Sequence, residues 1–376
     1  MMPNAYDVVI VGGGIVGAAC AAECARERIS VAVIEASMIG AGATAAGMGH
    51  IVVMDDSEAQ FALTRYSQIL WDELAEEMPR EGEYEARGTI WVAADDEEMA
   101  EVRRKEKFYL ERGVAVEVLD PRALYDAEPN LRPGLAGGLL IPGDSVIYPP
   151  AAAQFLIEEA RRCTAEVFVG RPVIEIDGQG VRLSDGTRIN AGLTVNAAGS
   201  WSPDLVRGLD VQKRKGHLLI TDRYPGFAHH QLVELGYLKS AHSLTVDSVA
   251  FNIQPRQTGQ MLIGSSRQYG VEDPAVDSHI LGRMIERAIE YMPGLSALSA
   301  IRAWTGFRAA TPDKLPLIGP YPEQENLFLA TGHEGLGITT SLATAKLLVD
   351  QLLGRPPAIP VGPYLPSRIG REVTHA

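Results

Sequence analysis

Cysteine is the first thing this chain has little of: three residues in 376 cannot all pair internally, so no disulfide framework is expected. Cys20 and Cys24 lie one helical turn apart and Cys163 stands alone. None shows metal or redox spacing, so all three are expected to pack in a core, in the reducing cytoplasm. Long apolar runs are missing as well. The uncharged stretch from Val8 to Ala22 is too short to span a bilayer and is broken by glycines. Asp7 precedes it and no Lys or Arg does, which does not suit a signal peptide. Basic charge is also short, with 34 Lys and Arg against 48 Asp and Glu and a formal charge of −14. That balance argues against nucleic acid or an anionic membrane as partner, though not against a local basic pocket. Repeats and low-complexity linkers are absent. What remains is an ordinary globular composition, 46% apolar and 22% charged, on a chain longer than one usual domain. Two intimately built domains are therefore expected.

The chain is organised around residues 6–36, YDVVIVGGGIVGAACAAECARERISVAVIEA, which read as one βαβ unit. Tyr6 to Val11 form a β-branched run of buried-strand length. Gly12, Gly14 and Gly17 follow at GxGxxG spacing, Ile15 to Arg28 suit a helix, and Val31 to Ile34 end in Glu35. The first glycine makes the tight turn and the second lets backbone approach a diphosphate. The third lets helix and strand pack closely. Free N–H groups and the positive end of the helix dipole favour the diphosphate at the helix start. Glu35 stands about twenty residues on, where an acceptor for ribose hydroxyls belongs. An acid there favours a free 2′-hydroxyl, hence FAD or NAD rather than NADP. The alternative is a tight glycine turn that holds nothing.

Residues 36–50, ASMIGAGATAAGMGH, have little side chain, so their backbone can lie against a large planar ligand. Ser57 with Gln60 resembles a capping box for a helix to about Glu77, burying Phe61, Leu63, Ile69, Leu70 and Leu74. A strand over Gly88–Ala93 and a charged helix over Asp95–Arg112 follow, the latter's charges read as a solvated face. Pro149 and Pro150 announce a helix to Arg162. Short strands are expected at 166–169, 172–176 and 181–183, and a buried one at Leu193–Asn196 that turns into a helix. From Lys215 to Ser265 the pattern becomes GHLLITD, QLVELGYL, SVAFNIQP and QMLIGSS, an antiparallel sheet. A helix over Asp277–Tyr291 follows. NLFLATGHEGLGITTSLATAKLLVDQLLG then returns to strand, glycine turn, helix.

VVIVGGGIVG…IE, AAGM at 45–48, TVNAAGSWS at 194–202, GFRAATPDKLPLIG at 306–319 and TGHEGLGITTS at 331–341 occur in that order. Together they resemble the D-amino acid oxidase superfamily of FAD enzymes, which includes glycine oxidase, sarcosine oxidase and D-amino acid dehydrogenase. The resemblance covers nearly the whole chain. It implies an α/β fold: a discontinuous Rossmann-like FAD domain of glutathione-reductase type (1–80, 146–212, 304–376). Inserted in it is an α+β substrate domain on an antiparallel sheet (81–145, 213–303). It implies FAD rather than NAD, since nicotinamide enzymes with this opening would not carry the last two motifs.

Position by position, the resemblance places Gly12, Gly14, Ile15, Val16 and Gly17 on the diphosphate. Glu35 and Ala36 meet the ribose, Ala43 and Thr44 lie near the diphosphate, and Ala46, Gly47 and Met48 run along the flavin. Val173 meets adenine through its backbone, while Ala198, Gly199 and Trp201 form the NAAG turn. His333, Glu334, Gly335, Leu336, Gly337, Ile338 and Thr339 wrap the flavin and set a helix N-terminus near its N1–C2 carbonyl. Arg308 clamps the substrate carboxylate bidentately; its alternative role is a structural pair with a carboxylate such as Asp313. His50, two residues beyond AAGM, binds substrate or tunes the amine proton, or is structural. Glu334 stands where relatives have a small or apolar residue, facing the amine, a partner tunnel or solvent. Tyr148, Tyr269 and His217 are weaker candidates. No metal site is expected.

Two departures bear on substrate and acceptor. Gly335 stands where glycine oxidase has a second substrate arginine. Leu262 stands where sarcosine oxidases carry an oxygen-activating lysine. No cysteine lies near the late motifs, so FAD is expected to be noncovalent. The resemblance implies oxidation of an amino or imino acid by hydride transfer to flavin N5. The β-type subunits of proline, hydroxyproline and opine dehydrogenases are similar too, which favours a D-amino acid or proline-like amine. Electrons then pass to a partner subunit or quinone. The rivals are an oxygen-using oxidase that makes peroxide, a non-catalytic flavin-fold binding protein and a nicotinamide enzyme.

Overall fold

The structure is a computed structural model and describes residues 5–236 and 247–369. The chain opens with β1 (Ala5–Val11), α1 (Ile15–Arg26), β2 (Val31–Glu35), α2 (Ala43–Ala46), β3 (His50–Ile51) and α3 (Glu58–Leu74). Next come β4 (Thr89–Ala93), α4 (Asp96–Glu111), β5 (Glu117–Leu119), α5 (Pro121–Ala127), β6 (Gly137–Ile141) and β7 (Ser145–Val146). Then follow α6 (Pro149–Arg162), β8 (Glu166–Val169), β9 (Val173–Asp177), β10 (Gly180–Leu183), β11 (Arg188–Asn196) and α7 (Ser202–Leu205). The sheet-rich part comprises β12 (Gln212–Thr221), β13 (Gln231–Glu234), β14 (Ser248–Pro255), β15 (Met261–Tyr269), α8 (Ser278–Tyr291) and β16 (Ala300–Ala310). The chain closes with β17 (Leu317–Pro320), β18 (Leu327–Thr331), β19 (His333–Glu334) and α9 (Gly337–Leu352).

These elements fall into two compact units. One comprises Met1–Gly82, Tyr148–Lys213 and Arg308–Ala376, the other Glu83–Ile147 and Arg214–Phe307. In the first, a sheet runs β17-β18-β11-β1-β2-β8, with β10 on β11 and β9 on β10. β1 is parallel to both of its neighbours. Val9 and Val11 pack into one apolar cluster, while Val8 and Ile10, on the opposite face, are equally buried. A parallel central strand covered on both faces must be apolar throughout, which is why this run does not alternate. Helix α1 packs against α6 and α9, and α3 against α9.

In the second unit the order is β16-β12-β15-β14-β13-β4-β6-β5. Most pairs whose register is resolved are antiparallel, but β13 runs parallel to β4. Those two strands come from the two separate segments of the unit, so no hairpin constrains their direction. Ile90, Val92, Leu232, Phe251, Ile253, Met261 and Ile263 form one apolar face under Met284, Ala288 and Tyr291 of α8. The Phe251 and Tyr291 rings stack there at 4.6 Å.

Several local expectations shift. Helix α1 stops at Arg26, since Arg28 has φ of 62° and leaves the helical region. Ser57 caps α3 as expected, its Oγ accepting from the Gln60 N–H at 3.1 Å. Ile69, however, is 39% exposed rather than on the buried face. The charge run of α4 is not wholly solvated. Lys105 is fully buried with its ammonium 4.7 Å from the centroid of the Trp91 ring, and Glu98 is buried too. Cys20 and Cys24 are core residues, and burial pushes the Cys24 thiol up to about 12. Cys163 is exposed, because it forms the C-terminal cap of α6 and not part of its inner face. Of QLVELGYL only Gln231–Glu234 is strand, and Tyr237 and Leu238 lie outside the described residues. The helix after TVNAAGSWS is only the four residues of α7.

Candidate active site

The glycine turn after β1 is as crowded as a turn can be. Gly12 has φ of 109°, and a methyl group on it would lie 2.5 Å from the Ala197 carbonyl oxygen. One on Gly17 would lie 2.0 Å from the Gly12 oxygen. Neither position accepts a Cβ, and the second contact is what seats α1 against the turn. At Gly14 a methyl would approach Thr44 Oγ1 alone, at 3.2 Å. Gly14 caps α1 with no side-chain hydrogen bond, so backbone donors stand at the helix start. Thr44, buried on α2, accepts from the Ile15 N–H at 3.0 Å and so ties the 43–48 segment to the turn. Val16, half-buried, is the second residue of the same helix.

Glu35 ends β2 half-buried. Its Oε2 accepts from the Gly13 N–H at 2.6 Å and its Oε1 from the Ser37 N–H at 2.7 Å. Each oxygen keeps a second lone pair for a further donor. Ala36 beside it is exposed. The Glu35 carbonyl accepts from Arg171 N–H at 3.0 Å, two residues before Val173 at the start of β9.

The NAAG turn is wired through side chains. Asn196, fully buried, accepts from Ala198 N–H and donates to the Ser202 carbonyl. Ser202 Oγ donates to Thr331 Oγ1 at 2.9 Å, and Thr331 donates to the Gly199 carbonyl at 2.9 Å. Gly199 has φ of 56°. Trp201, 44% exposed, lays its ring near Gly42. Sequence reading assigned no role to Asn196, Ser202 or Thr331; all three lay inside the quoted motifs, but only the contacts reveal the wiring.

The late loop closes on the early one. A methyl on Gly337 would lie 3.4 Å from His333 Cβ and 3.9 Å from Val16 Cγ2. One on Gly47 would lie 2.7 Å from Ile338 Cδ1. Thr339 Oγ1 donates to the His50 carbonyl at 2.8 Å. Met48 is buried between them in sequence. Leu336 caps α9 without a side-chain hydrogen bond, and no acid occupies its first turn. Glu334 sits at φ of 49°, unusual for a residue with a Cβ. It pairs with Ala309, as His333 does with Ala310.

That pairing fixes the last residues of β16. Arg308 stands there half-buried, and a methyl on Gly335 would lie 3.7 Å from its Nε. Asp313 is held by Arg368, with Nε–Oδ2 at 2.6 Å and Nη2–Oδ1 at 3.0 Å. The Arg368 fork holds this carboxyl below its usual range against the opposing effect of burial.

Two histidines belong to this cluster. Burial alone pushes each ring down to about 3, so both are neutral at ordinary pH. His333 Nε2 lies 3.0 Å from Thr344 Oγ1. His50 Nε2 is buried without a hydrogen-bond partner. His217 is fully buried, its Nε2 accepting from Asp277 N–H at 3.0 Å and its Nδ1 2.9 Å from Ser266 Oγ. With Nε2 an acceptor, the proton is on Nδ1, and the ring braces the start of α8. Tyr269 lies under the Arg214 guanidinium at 4.7 Å, and Tyr148 is 38% exposed. Among the described residues no group of acids, histidines and cysteines could hold a metal ion.

The profile of the FAD dependent oxidoreductase family, DAO, matches residues 7–351. The chain belongs to that family. As a DAO-family enzyme it is an FAD-dependent oxidoreductase. It is similar to the glycine oxidase of Geobacillus kaustophilus, 29% identical over 98% of this chain and 99% of that one. The crystal structure of glycine oxidase from the same organism superposes with a TM-score of 0.87 at 28% identity, covering 97% and 99% of the two chains. The D-amino acid dehydrogenase of Agrobacterium fabrum is 26% identical over 79% of this chain and 71% of its own. The residues brought together fit FAD. Two helix starts without side-chain caps face glycine turns, Glu35 keeps acceptor capacity, and the orphaned His50 Nε2 is a buried atom suited to a ligand. No described helix is long and apolar enough to cross a membrane.

Proposed function

We propose that this DAO-family enzyme oxidises an amino or imino acid, a D-amino acid or a proline-like secondary amine, to the corresponding imine. The observation that carries the reading is Arg308, set on the end of β16 beside Gly335 and locked to the late loop by the β16–β19 pairing. A planar guanidinium there can take a carboxylate through two parallel hydrogen bonds and so fix the height and facing of the α-carbon. Asp313, five residues further on, is engaged by Arg368.

Gly12, Gly14, Ile15, Val16, Gly17, Ala43 and Thr44 would hold the diphosphate, and Glu35 with Ala36 the ribose. Val173 would meet adenine, and Ala198, Gly199 and Trp201 would contribute the NAAG turn. Ala46 to Met48 and His333 to Thr339 would line the flavin. FAD, when bound, supplies the two-electron oxidant that takes the α-hydrogen. The chain's own residues do the rest by position. His50 and His333 are both neutral, so neither adds a charge to the pocket. A substrate whose amine arrives unprotonated then needs no general base, and His50 Nε2 can accept a hydrogen bond from it. A primary imine would hydrolyse to a keto acid, whereas a cyclic one can leave intact.

Gly335 disfavours glycine as the preferred substrate, because a second guanidinium is missing beside Arg308. Leu262, on β15, favours electron transfer to a partner subunit or quinone over reaction with oxygen. Peroxide production in the manner of a glycine oxidase is the competing reading, and the relatives' names favour it. Anaerobic mixing with D- and L-amino and imino acids, followed by flavin absorbance at about 450 nm, tests the proposal. Bleaching by one of them is expected, with slow recolouring in air. Rapid recolouring with peroxide would establish the oxidase instead, and no bleaching by any would refute both.

A further inference from the structure

Helices α3, α4, α5 and α8 declare their starts in sequence. They begin behind Ser57, Asp95, Asp120 and Asp277, each side chain accepting from the N–H groups of its first turn. Such a cap uses up donors that a helix otherwise leaves free. Helix α9 has no such cap. Leu336 precedes it without a side-chain hydrogen bond, and Gly337, Ile338, Thr339, Thr340 and Ser341, which open it, rank below Ala and Leu as helix formers. Hydroxyls there also compete for backbone groups. Thr340 Oγ1 donates to the Leu336 carbonyl at 2.8 Å, and Ser341 Oγ to that of Ile338 at 3.0 Å. Local sequence therefore does little to form or aim this helix start.

Side chains from elsewhere in the first unit hold it instead. Trp71 of α3, fully buried, donates its Nε1–H to the Ile338 and Thr339 carbonyls at 3.2 and 3.1 Å. One turn earlier on α3, Ser67 Oγ accepts from the Ala343 N–H at 3.1 Å. From β19, His333 Nε2 lies 3.0 Å from Thr344 Oγ1, and His333 Cβ would lie 3.4 Å from a methyl on Gly337. The ring thus braces α9 from its first residue to Thr344, about two turns on. It is neutral at ordinary pH, so it acts by position and not by charge. β19 in turn pairs with the end of β16 that carries Arg308. None of these contacts uses the N–H groups of Gly337, Ile338 or Thr339.

Resting on the flavin lining proposed above, we infer that Trp71 and His333 are positioning residues for the cofactor. They hold the first turn of α9 through its carbonyls and its second turn, so that its uncapped N–H groups stay aimed at the ring that gathers negative charge on reduction. Donors held in place need no reorganisation when that charge arrives, whereas a loose turn would have to be reordered. Both residues act through the backbone of α9, and neither needs to touch the substrate. The buried Trp71 donor and Thr344 hydroxyl have one purpose each in this arrangement, and removing either leaves its partner unpaired.

The test measures the two-electron reduction potential of the holoenzyme without substrate. Trp71→Phe removes the indole donor, and Thr344→Val removes the hydroxyl that meets His333. Each is expected to make flavin reduction about tenfold less favourable, a potential about 30 mV lower for a two-electron couple, with flavin content unchanged. His333→Ala should act in the same direction, and His333→Gln, whose amide can reach Thr344, should restore the wild-type potential. A lower thermal midpoint with an unmoved potential in Trp71→Phe and Thr344→Val assigns the contacts to the scaffold and overturns the inference. A Gln variant no better than the Ala one overturns it too, as does failure of all four to fold or to keep flavin. Because no substrate enters, an amino acid panel that bleaches nothing would leave a shifted potential standing. An unmoved potential would equally leave amino acid oxidation standing.

Discussion

Two glycine-rich turns start helices in the first unit, and they look alike only as sequence. In the early turn, methyl groups on Gly12 and Gly17 would lie 2.5 and 2.0 Å from backbone oxygens. In the late turn, methyls on Gly335 and Gly337 would meet their nearest neighbours at 3.7 and 3.4 Å, ordinary contact distances. The early glycines are demanded by the packing of helix on strand. The late ones keep room, around the Arg308 guanidinium in one case and toward Val16 in the other. One sequence signal thus has two physical meanings, and only the first is tied to the stability of the fold.

The sharpest way to break this contrast is Gly17→Ala. Overpacking against backbone is expected to destabilise by about 3 kcal/mol and to strip the flavin, seen as a colourless product with a lowered thermal midpoint. A stable yellow Gly17→Ala protein would show that the early turn also has slack. Next in size is Arg308→Ala, beside the late turn. Bleaching by substrate should slow by on the order of 10²-fold, with flavin content unchanged, as stopped-flow absorbance would register. Loss of flavin without a selective loss of rate would place Arg308 in the scaffold.

A third effect comes from the two buried histidines. Their folded values, about 3, lie below the ordinary 6.5. The unfolded chain therefore binds protons between those limits that the folded one does not. Stability should be flat above pH 6.5 and fall as pH drops toward 3. Denaturant titrations of His333→Asn should show a shallower acid limb, and an unchanged limb would mean that the ring protonates in place. Smallest is Gly337→Ala. At the first residue of α9 it should be neutral or stabilise by about 0.5 kcal/mol, opposite in sign to Gly17→Ala. A large loss would erase the distinction between the turns.

Much of the first unit was legible because its constraints are local. A strand buried on both faces must be apolar without alternation, and a turn that cannot hold a Cβ must be glycine. Ser57 declares a helix start by its own side chain. The second unit was harder. Lys105 reads as a solvated charge, yet it is buried over Trp91. His217 reads as a candidate reactive group until its two nitrogens are traced to Asp277 and Ser266. Gln231 and Gln254 read as ordinary polar strand residues, and nothing in the pattern marks their oxygens as unpartnered.

By itself the sequence determined the opening βαβ unit and the order of five family motifs. Periodicity, glycine sterics and motif spacing act over a few residues and are written in the chain. Tertiary structure decided that Gly337 meets Val16, that Thr339 meets His50, and that Gly335 leaves space at Arg308. It also decided which buried polar atoms are left unpaired. Those outcomes depend on groups far apart in sequence meeting at a few ångströms, and no local pattern encodes which of them will.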